Sequence, residues 1–115
     1  MNVQHLAGII LSSPDPERLA DFYREAIGIP FEPQRHGRIR EHLEAEFGGV
    51  HFAILKKTPI TPGGTVVPSF RVADLTTFLT TGAKPLHPIL ELGQGKWVCT
   101  IADPDGNPLR LIEIS

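Results

Sequence analysis

Apolar residues in this chain come in short runs separated by turn-forming residues, and only a few segments carry helical spacing. Val3 to Leu11 is apolar on both alternating faces apart from Gln4 and His5, which predicts a strand buried on two sides. On a strand, His5, Ala7 and Ile9 share one face, and Leu6, Gly8 and Ile10 share the other. Ser12-Ser13-Pro14-Asp15-Pro16 ends that strand and starts a helix. Asp15 is a suitable N-cap, and Pro16 fits the first helical position because its missing N–H would have no partner there. Leu19, Phe22, Tyr23 and Ala26 follow at helical spacing up to Gly28, a terminator. Phe22 and Tyr23 read as core residues packed on a sheet.

The next elements are strands. Ile29 to Arg38 is a proline-broken short strand and turn, and Arg38 to Phe47 alternates imperfectly and is rich in charge, the mark of an exposed or edge strand. Gly48-Gly49 turns the chain into the apolar run Val50-His51-Phe52-Ala53-Ile54-Leu55. Residues 58–65 hold Pro59, Pro62, Gly63 and Gly64 and read as a linker. Val66 to Val72 predicts a strand, and Asp74 caps a short helix with Leu75, Phe78 and Leu79. Pro85 and Pro88 break a short strand before Leu92. Lys96 to Ala102 is a further strand with Trp97, Val98, Cys99 and Ile101. Asp103-Pro104-Asp105-Gly106-Asn107-Pro108 then forms a tight turn, where Gly106 can take a positive φ and Pro104 fixes a dihedral. The closing strand Leu109 to Glu113 carries one cation, Arg110.

The order is strand, helix, three strands, stated twice, which predicts an internal repeat. The caps Asp15 and Asp74 are 59 residues apart (74 − 15), as are His51 and Arg110 (110 − 51), the polar residues one place into the two closing strands. The first strands match at a spacing of 62, which places His5 over Val67.

Composition narrows the function classes. A chain of 115 residues with 41% hydrophobic and 21% charged residues suits one compact domain with a sizeable core. A formal charge of −2 offers no basic footprint for nucleic acid and no attraction to a membrane surface. No apolar run approaches the roughly 20 residues that span a bilayer. Met1 to His5 lacks the basic and apolar regions of a signal peptide. One cysteine, Cys99, excludes an internal disulfide. These features set the expectation of a cytoplasmic protein. Dinucleotide, P-loop, nucleophile-elbow and Cys-x-x-Cys motifs are absent from the sequence.

The segments Asp15-Pro16-Glu17-Arg18-Leu19-Ala20-Asp21-Phe22-Tyr23, Phe70-Arg71-Val72-Ala73-Asp74-Leu75 and Asp103-Pro104-Asp105-Gly106-Asn107-Pro108-Leu109 carry a resemblance to the vicinal oxygen chelate superfamily. That superfamily includes glyoxalase I, extradiol dioxygenases, fosfomycin-resistance enzymes and bleomycin-resistance proteins. The resemblance implies an α+β fold with two βαβββ modules forming a cup-shaped mixed eight-stranded sheet with helices on the outside. It covers nearly the whole chain as a single domain, residues 1–115. Module one is 1–57, the linker 58–65 and module two 66–115. Single-domain members commonly form homodimers, and a homodimer is the expectation here.

Enzymes of the superfamily hold a divalent metal within the cup at four symmetry-related positions. The resemblance places these on His5, His51, Val67 and Arg110. His5 is a ligand type, and His51 stands where a carboxylate is often found. Val67 has no donor atom, and Arg110 is a permanent cation with no acceptor. Two imidazoles fall short of the usual three-ligand catalytic set. Glu113 lies three residues beyond Arg110, on the opposite strand face. Glu44 and Glu46 are candidates either to complete a metal site or to pair with Arg110. The expectation is therefore a degenerate metal site, with no cofactor and no assigned catalytic residue. His5, His51 and Arg110 are expected to line a pocket for an anionic or oxygen-rich small molecule, with Trp97 as a stacking candidate and Ala7, Ile9, Ala53 and Ile112 as apolar wall. The alternatives are a metal-dependent lyase, isomerase or dioxygenase of the same superfamily, and a non-catalytic dimeric interaction module. Cys99 reads as a small buried strand residue. His36, His42 and His87 lack metal-ligand spacing.

Overall fold

The structure is a computed structural model that describes residues 4, 6–34, 42–59, 66–80 and 84–115. The chain divides into two compact units, Met1–Pro62 and Gly63–Ser115. No helix among the described residues is long and apolar enough to cross a membrane.

In the first unit β1 (Gly8–Ser13) leads into α1 (Pro16–Phe22) and a π-helical turn (Tyr23–Ile27), then β2 (Glu32–Gln34), β3 (His42–Phe47) and β4 (Val50–Lys56). The four strands form one mixed sheet in the order β1-β4-β3-β2, with β1 parallel to β4 and the other pairs antiparallel. The capping expectation holds. The Asp15 carboxylate accepts the Arg18 N–H at 3.2 Å, and Pro16 opens the helix. Gly28 ends the helical segment in the left-handed region at φ 89°, where its N–H reaches the Tyr23 carbonyl at 2.7 Å. α1 packs on β1, β3 and β4. The core of this unit holds Leu19, Ala20, Tyr23, Ile29, Phe31, Leu43, Phe52 and Ile54, all buried. The Tyr23 ring meets Phe22 and Phe31 at centroid distances of 5.6 Å each, and Phe31 meets Phe52 edge-on at 6.5 Å.

Three expectations for this unit change. β1 starts at Gly8 and runs on to Ser13, two residues beyond the expected end. Ser13 is tolerated inside because its hydroxyl accepts the Asp15 N–H at 3.1 Å. β1 is also covered on one side only, since Ile10 keeps 69% of its surface exposed. Finally, β3 is an interior strand between β4 and β2. Its charges alternate because one face is apolar (Leu43, Ala45) and the other carries His42, Glu44 and Glu46.

The second unit repeats the plan with β5 (Ser69–Arg71), α2 (Leu75–Leu79), β6 (Leu90–Gly93), β7 (Lys96–Ala102) and β8 (Pro108–Ile114), in the sheet order β5-β8-β7-β6. β5 is shorter than expected, and Val66, Val67 and Pro68 precede it outside any strand. α2 packs on β7 and β8. It is capped twice: the Asp74 carboxylate accepts the Thr76 and Thr77 N–H groups at 2.9 and 3.3 Å, and Glu113 accepts the Leu75 N–H at 2.9 Å. Hydrogen bonds from Thr77 lead in holding the Asp74 carboxyl below its ordinary range. The core is Phe70, Leu75, Val98, Cys99, Ile101, Leu109 and Leu111.

The turn before β8 is closed by its first residue. Asp103 Oδ1 accepts the Asp105 and Asn107 N–H groups at 2.9 Å each, and Gly106 takes φ 84°. Asp103 is buried. Burial lifts its carboxyl above the ordinary 3.8, outweighing the hydrogen bonds from Asn107 and Asp105 that favour the anion. The folded state therefore holds this proton more tightly than the unfolded state, so stability falls as pH rises from about 3.8 through the higher folded value. Asp103→Asn keeps an acceptor and removes the charge. In urea titrations between pH 3 and 7, the stability of the wild type relative to Asp103→Asn is expected to fall with pH through that window and then level off. A rise would show that the hydrogen bonds dominate.

Candidate functional site

Cross-strand register decides which polar residues of the first sheet stand together. Glu46 pairs with His51, Glu44 with both Ala53 and Glu32, and Gln34 with His42. Directly paired residues share a face, so Glu32, His42, Glu44, Glu46, His51 and Ala53 all lie on the sheet face away from α1. The side chains join in a chain. His42 Nε2 is 2.8 Å from Glu44 Oε2, the same oxygen lies 3.3 Å from His51 Nε2, and His51 Nδ1 is 2.7 Å from Glu46 Oε1. Exposure rises along it: the side chain of His42 keeps 7%, Glu44 18%, His51 40% and Glu46 70%. The chain opens onto a depression of about 320 Å³ lined by Pro30, Glu32, Glu44, Ala45, Glu46 and His51.

A carboxylate and an imidazole in contact accept and donate hydrogen bonds and pass a proton between them. With both ring nitrogens on carboxylate oxygens, the His51 imidazole is fixed in orientation. Sequence pattern pointed to His51 and to Glu44 and Glu46 as candidates. It missed His42 and Glu32. The signal for His42 is present in the sequence, since His42, Glu44 and Glu46 recur every second residue, the period of one strand face.

The other expected site residues are distributed as follows. His5 lies outside the described residues. Arg110 is on the second sheet, paired with Thr100 on β7 and Ser69 on β5. Trp97 pairs with Glu113, whose carboxylate caps α2, so Trp97 faces the helix side. The second sheet does not bring Trp97 and Arg110 together. Ile9 pairs with Phe52 and shares the buried face of the first sheet, so it is no part of a wall beside His51. Ala53 is on the His51 face and Ile112 on the Arg110 face. Cys99 is fully buried, its thiol donates to the His87 carbonyl at 3.5 Å, and burial raises its pKa, all of which make it unreactive.

The metal expected in superfamily enzymes does not fit these residues. Both nitrogens of His51 are engaged by carboxylates. Val67 offers no donor, and Arg110 brings positive charge and no lone pair. Among the described residues no group of three or more His, Cys, Asp or Glu side chains is arranged to hold a metal ion.

Known structures share this fold. TnmS3, an antibiotic-binding protein from Streptomyces sp. CB03234, is 20% identical, with 100% of this chain and 99% of that one covered and a TM-score of 0.76. A glyoxalase/bleomycin resistance protein/dioxygenase from Nocardioides is 14% identical, with 99% and 85% covered and a TM-score of 0.72. Lactoylglutathione lyase from Agrobacterium tumefaciens is 17% identical, with 98% and 96% covered and a TM-score of 0.66. No protein of curated function matches the sequence. The family model for the glyoxalase-like domain matches residues 8–112. Two mixed four-stranded sheets built on one strand order, matched by that model over residues 8–112, place the chain in the glyoxalase-like domain family of the vicinal oxygen chelate superfamily.

Proposed function

We propose that this protein binds a small, hydroxyl-bearing organic molecule without a metal, in the depression beside His51. The observation that carries the reading is the His42–Glu44–His51–Glu46 chain, buried at one end and open at the other on that depression. A cavity of about 320 Å³ is at the lower end of the range for organic ligands. Its described lining contains three carboxylates and one imidazole. Such a lining accepts hydrogen bonds from hydroxyl or amine groups and repels a second carboxylate. The oxygen-rich part of the sequence expectation therefore suits this pocket, and the anionic part does not. TnmS3, an antibiotic-binding protein on this fold, supports binding as the role, and sequestration of the ligand needs no further chemistry.

The test is calorimetric titration of the purified protein with catechol, pyrogallol and a flavonol, against benzoate as the anionic control. At least one hydroxyl-bearing compound is expected to bind, and His51→Ala to weaken it by about tenfold or more, equivalent to about 1.4 kcal/mol. The imidazole holds Glu44 and Glu46, the groups that would accept from the ligand, and hydrogen bonds to charged groups contribute on that scale. Equal affinity in wild type and His51→Ala, or binding of benzoate alone, would overturn the proposal.

A further inference from the structure

One histidine of the second unit closes a gap in a sheet edge with its side chain. Two stretches of chain border β7 on the side away from β8: residues 84–86 lie beside 100–102, and β6 lies beside 96–98. Pro85 pairs with Ile101 and Leu90 with Val98, so five steps along the outer chain (90 − 85) cover three along β7 (101 − 98). His87, Pro88 and Ile89 lie in the bulge that results. In a regular antiparallel pair, facing residues exchange two backbone hydrogen bonds. Leu86 gives its N–H to the Thr100 carbonyl at 2.8 Å, but the Thr100 N–H goes to His87 Nε2 at 3.1 Å. An imidazole nitrogen thus stands in the ladder where a backbone carbonyl would be.

The partners of the ring fix where its proton sits. The Pro88 carbonyl, 2.7 Å from Nδ1, can only accept, so Nδ1 carries the proton. The Thr100 N–H can only donate, so Nε2 carries none. A second proton on Nε2 therefore excludes the bond from the Thr100 N–H. The Thr100 hydroxyl, 3.0 Å from Nε2, can donate to the neutral ring or accept from the charged one, so it does not oppose the change. Histidine is the side chain that takes up a proton between about pH 5 and 8. The charged groups of this unit around the ring do not hold an imidazolium in place. Arg110 stands across the ladder from Thr100 and repels it. Lys84, on the same segment, and Lys96, on the Thr100 face of β7, are also cations. Glu91 and Glu113 both pair with Trp97, on the opposite face of the sheet. The Cys99 thiol donates to the His87 carbonyl at 3.5 Å and so holds the backbone of the bulge, not the ring.

We propose that His87 is a proton-operated latch on this edge of the second sheet. The neutral ring ties the bulge and the start of β6 to β7. On protonation the ring gives up the Thr100 N–H and the tie opens, while residues 84–86 keep their own backbone bonds. The latch holds above the titration of the ring and opens below it. It stands on the second unit's residues alone and does not depend on the reading of the His51 pocket.

The experiment is amide hydrogen exchange read by NMR on the whole protein at pH 8 and at pH 5, either side of the histidine range, with each rate divided by the intrinsic rate at that pH. The Thr100 amide is expected to lose about tenfold in protection from pH 8 to pH 5, the effect of one hydrogen bond. The Leu86 amide, bonded to the Thr100 carbonyl, is the internal control and should change clearly less. His87→Gln sets a carbonyl oxygen as many bonds from the backbone as Nε2 and does not titrate, so it should keep Thr100 protected at both pH values. His87→Ala should leave Thr100 as poorly protected at pH 8 as the wild type is at pH 5. The imidazole nitrogen shifts at pH 8 should show Nδ1 protonated and Nε2 bare. Equal Thr100 protection at the two pH values, an equal loss at Leu86, the same pH-dependent loss in His87→Gln, or a proton on Nε2 at pH 8 would each overturn the proposal. The wild-type comparison needs no variant, so it decides the matter even if a His87 substitution folds poorly.

Discussion

Tyr23→Ala is expected to lower stability by about 3 to 5 kcal/mol, the range for removing a large buried aromatic ring. Natural domains hold only about 5 to 15 kcal/mol in total, so most of the margin goes with this one side chain. The size follows from its place. Tyr23 is 1% exposed and sits between Phe22 and Phe31, with Phe52 behind Phe31. Deleting the ring removes its burial and leaves a cavity that the sheet, held by its own ladder, cannot close. The backbone of the same residue accepts the Gly28 and Ile29 N–H groups at 2.7 and 2.9 Å, so relaxation into the cavity would strain the helix end. Urea unfolding of Tyr23→Ala, Tyr23→Phe and Phe22→Ala checks the argument. Tyr23→Phe keeps the ring and should recover most of the loss. Phe22, only half buried, should cost clearly less than Tyr23. Equal losses for Phe22→Ala and Tyr23→Ala would show that the ring stack is not the centre of this core.

Features fixed by local chemistry were legible in the sequence. The Asp15-Pro16 helix start, the Gly48-Gly49 hairpin, the Asp103 to Pro108 turn and the doubled order of elements all have short-range causes, and the structure has each of them. Features fixed by register were read less well. The ladders pair Gly8 with His51 and Ser69 with Arg110, so the first strands repeat at 61 residues (69 − 8), where the sequence suggested 62. One residue of slip reverses every facing on a strand. Ile9 was assigned to the pocket because it shares a strand face with His5, whereas the ladder sets Gly8 opposite His51 and turns Ile9 to the Phe52 side. Trp97 fails as a neighbour of Arg110 for a similar reason, since three residues separate it from Thr100, the cross-strand partner of Arg110. β3 was misjudged on a different ground. Its charges suggested solvent or a sheet edge, but they alternate because one face meets the core and the other meets His51.

The two sheets, built on one plan, have taken opposite chemistries at equivalent positions. Where His51 meets Glu46, Arg110 meets Thr100. The partner on the first strand is a glycine in one case and a serine in the other. The first sheet carries carboxylate acceptors at this place, and the second carries a cation beside a hydroxyl.

Gly8→Val is expected to destabilise the protein by about 1 to 3 kcal/mol, the usual cost of forcing extra atoms into a packed contact, and to weaken binding beside His51. Secondary-structure propensity alone gives the opposite sign, because valine is favoured over glycine in strands by up to about 1 kcal/mol. The local geometry decides against it. A Cβ on residue 8 would stand 2.8 Å from the His51 carbonyl oxygen and 3.3 Å from the His51 Cβ. The nearer atom is backbone, so no side chain can turn away, and β1 and β4 must separate at the end of their ladder. The His51 N–H reaches the Ala7 carbonyl at only 3.5 Å, so this end has little hydrogen bonding to resist displacement. Movement of β4 there carries His51 away from Glu46, its partner across β3 at 2.7 Å. Gly8→Ala should act in the same direction with a smaller effect. Urea unfolding together with calorimetric titration of the hydroxyl-bearing ligand reads both consequences. A Gly8→Val protein as stable as the wild type and binding as tightly would show that the close approach of β1 to His51 does not constrain the site.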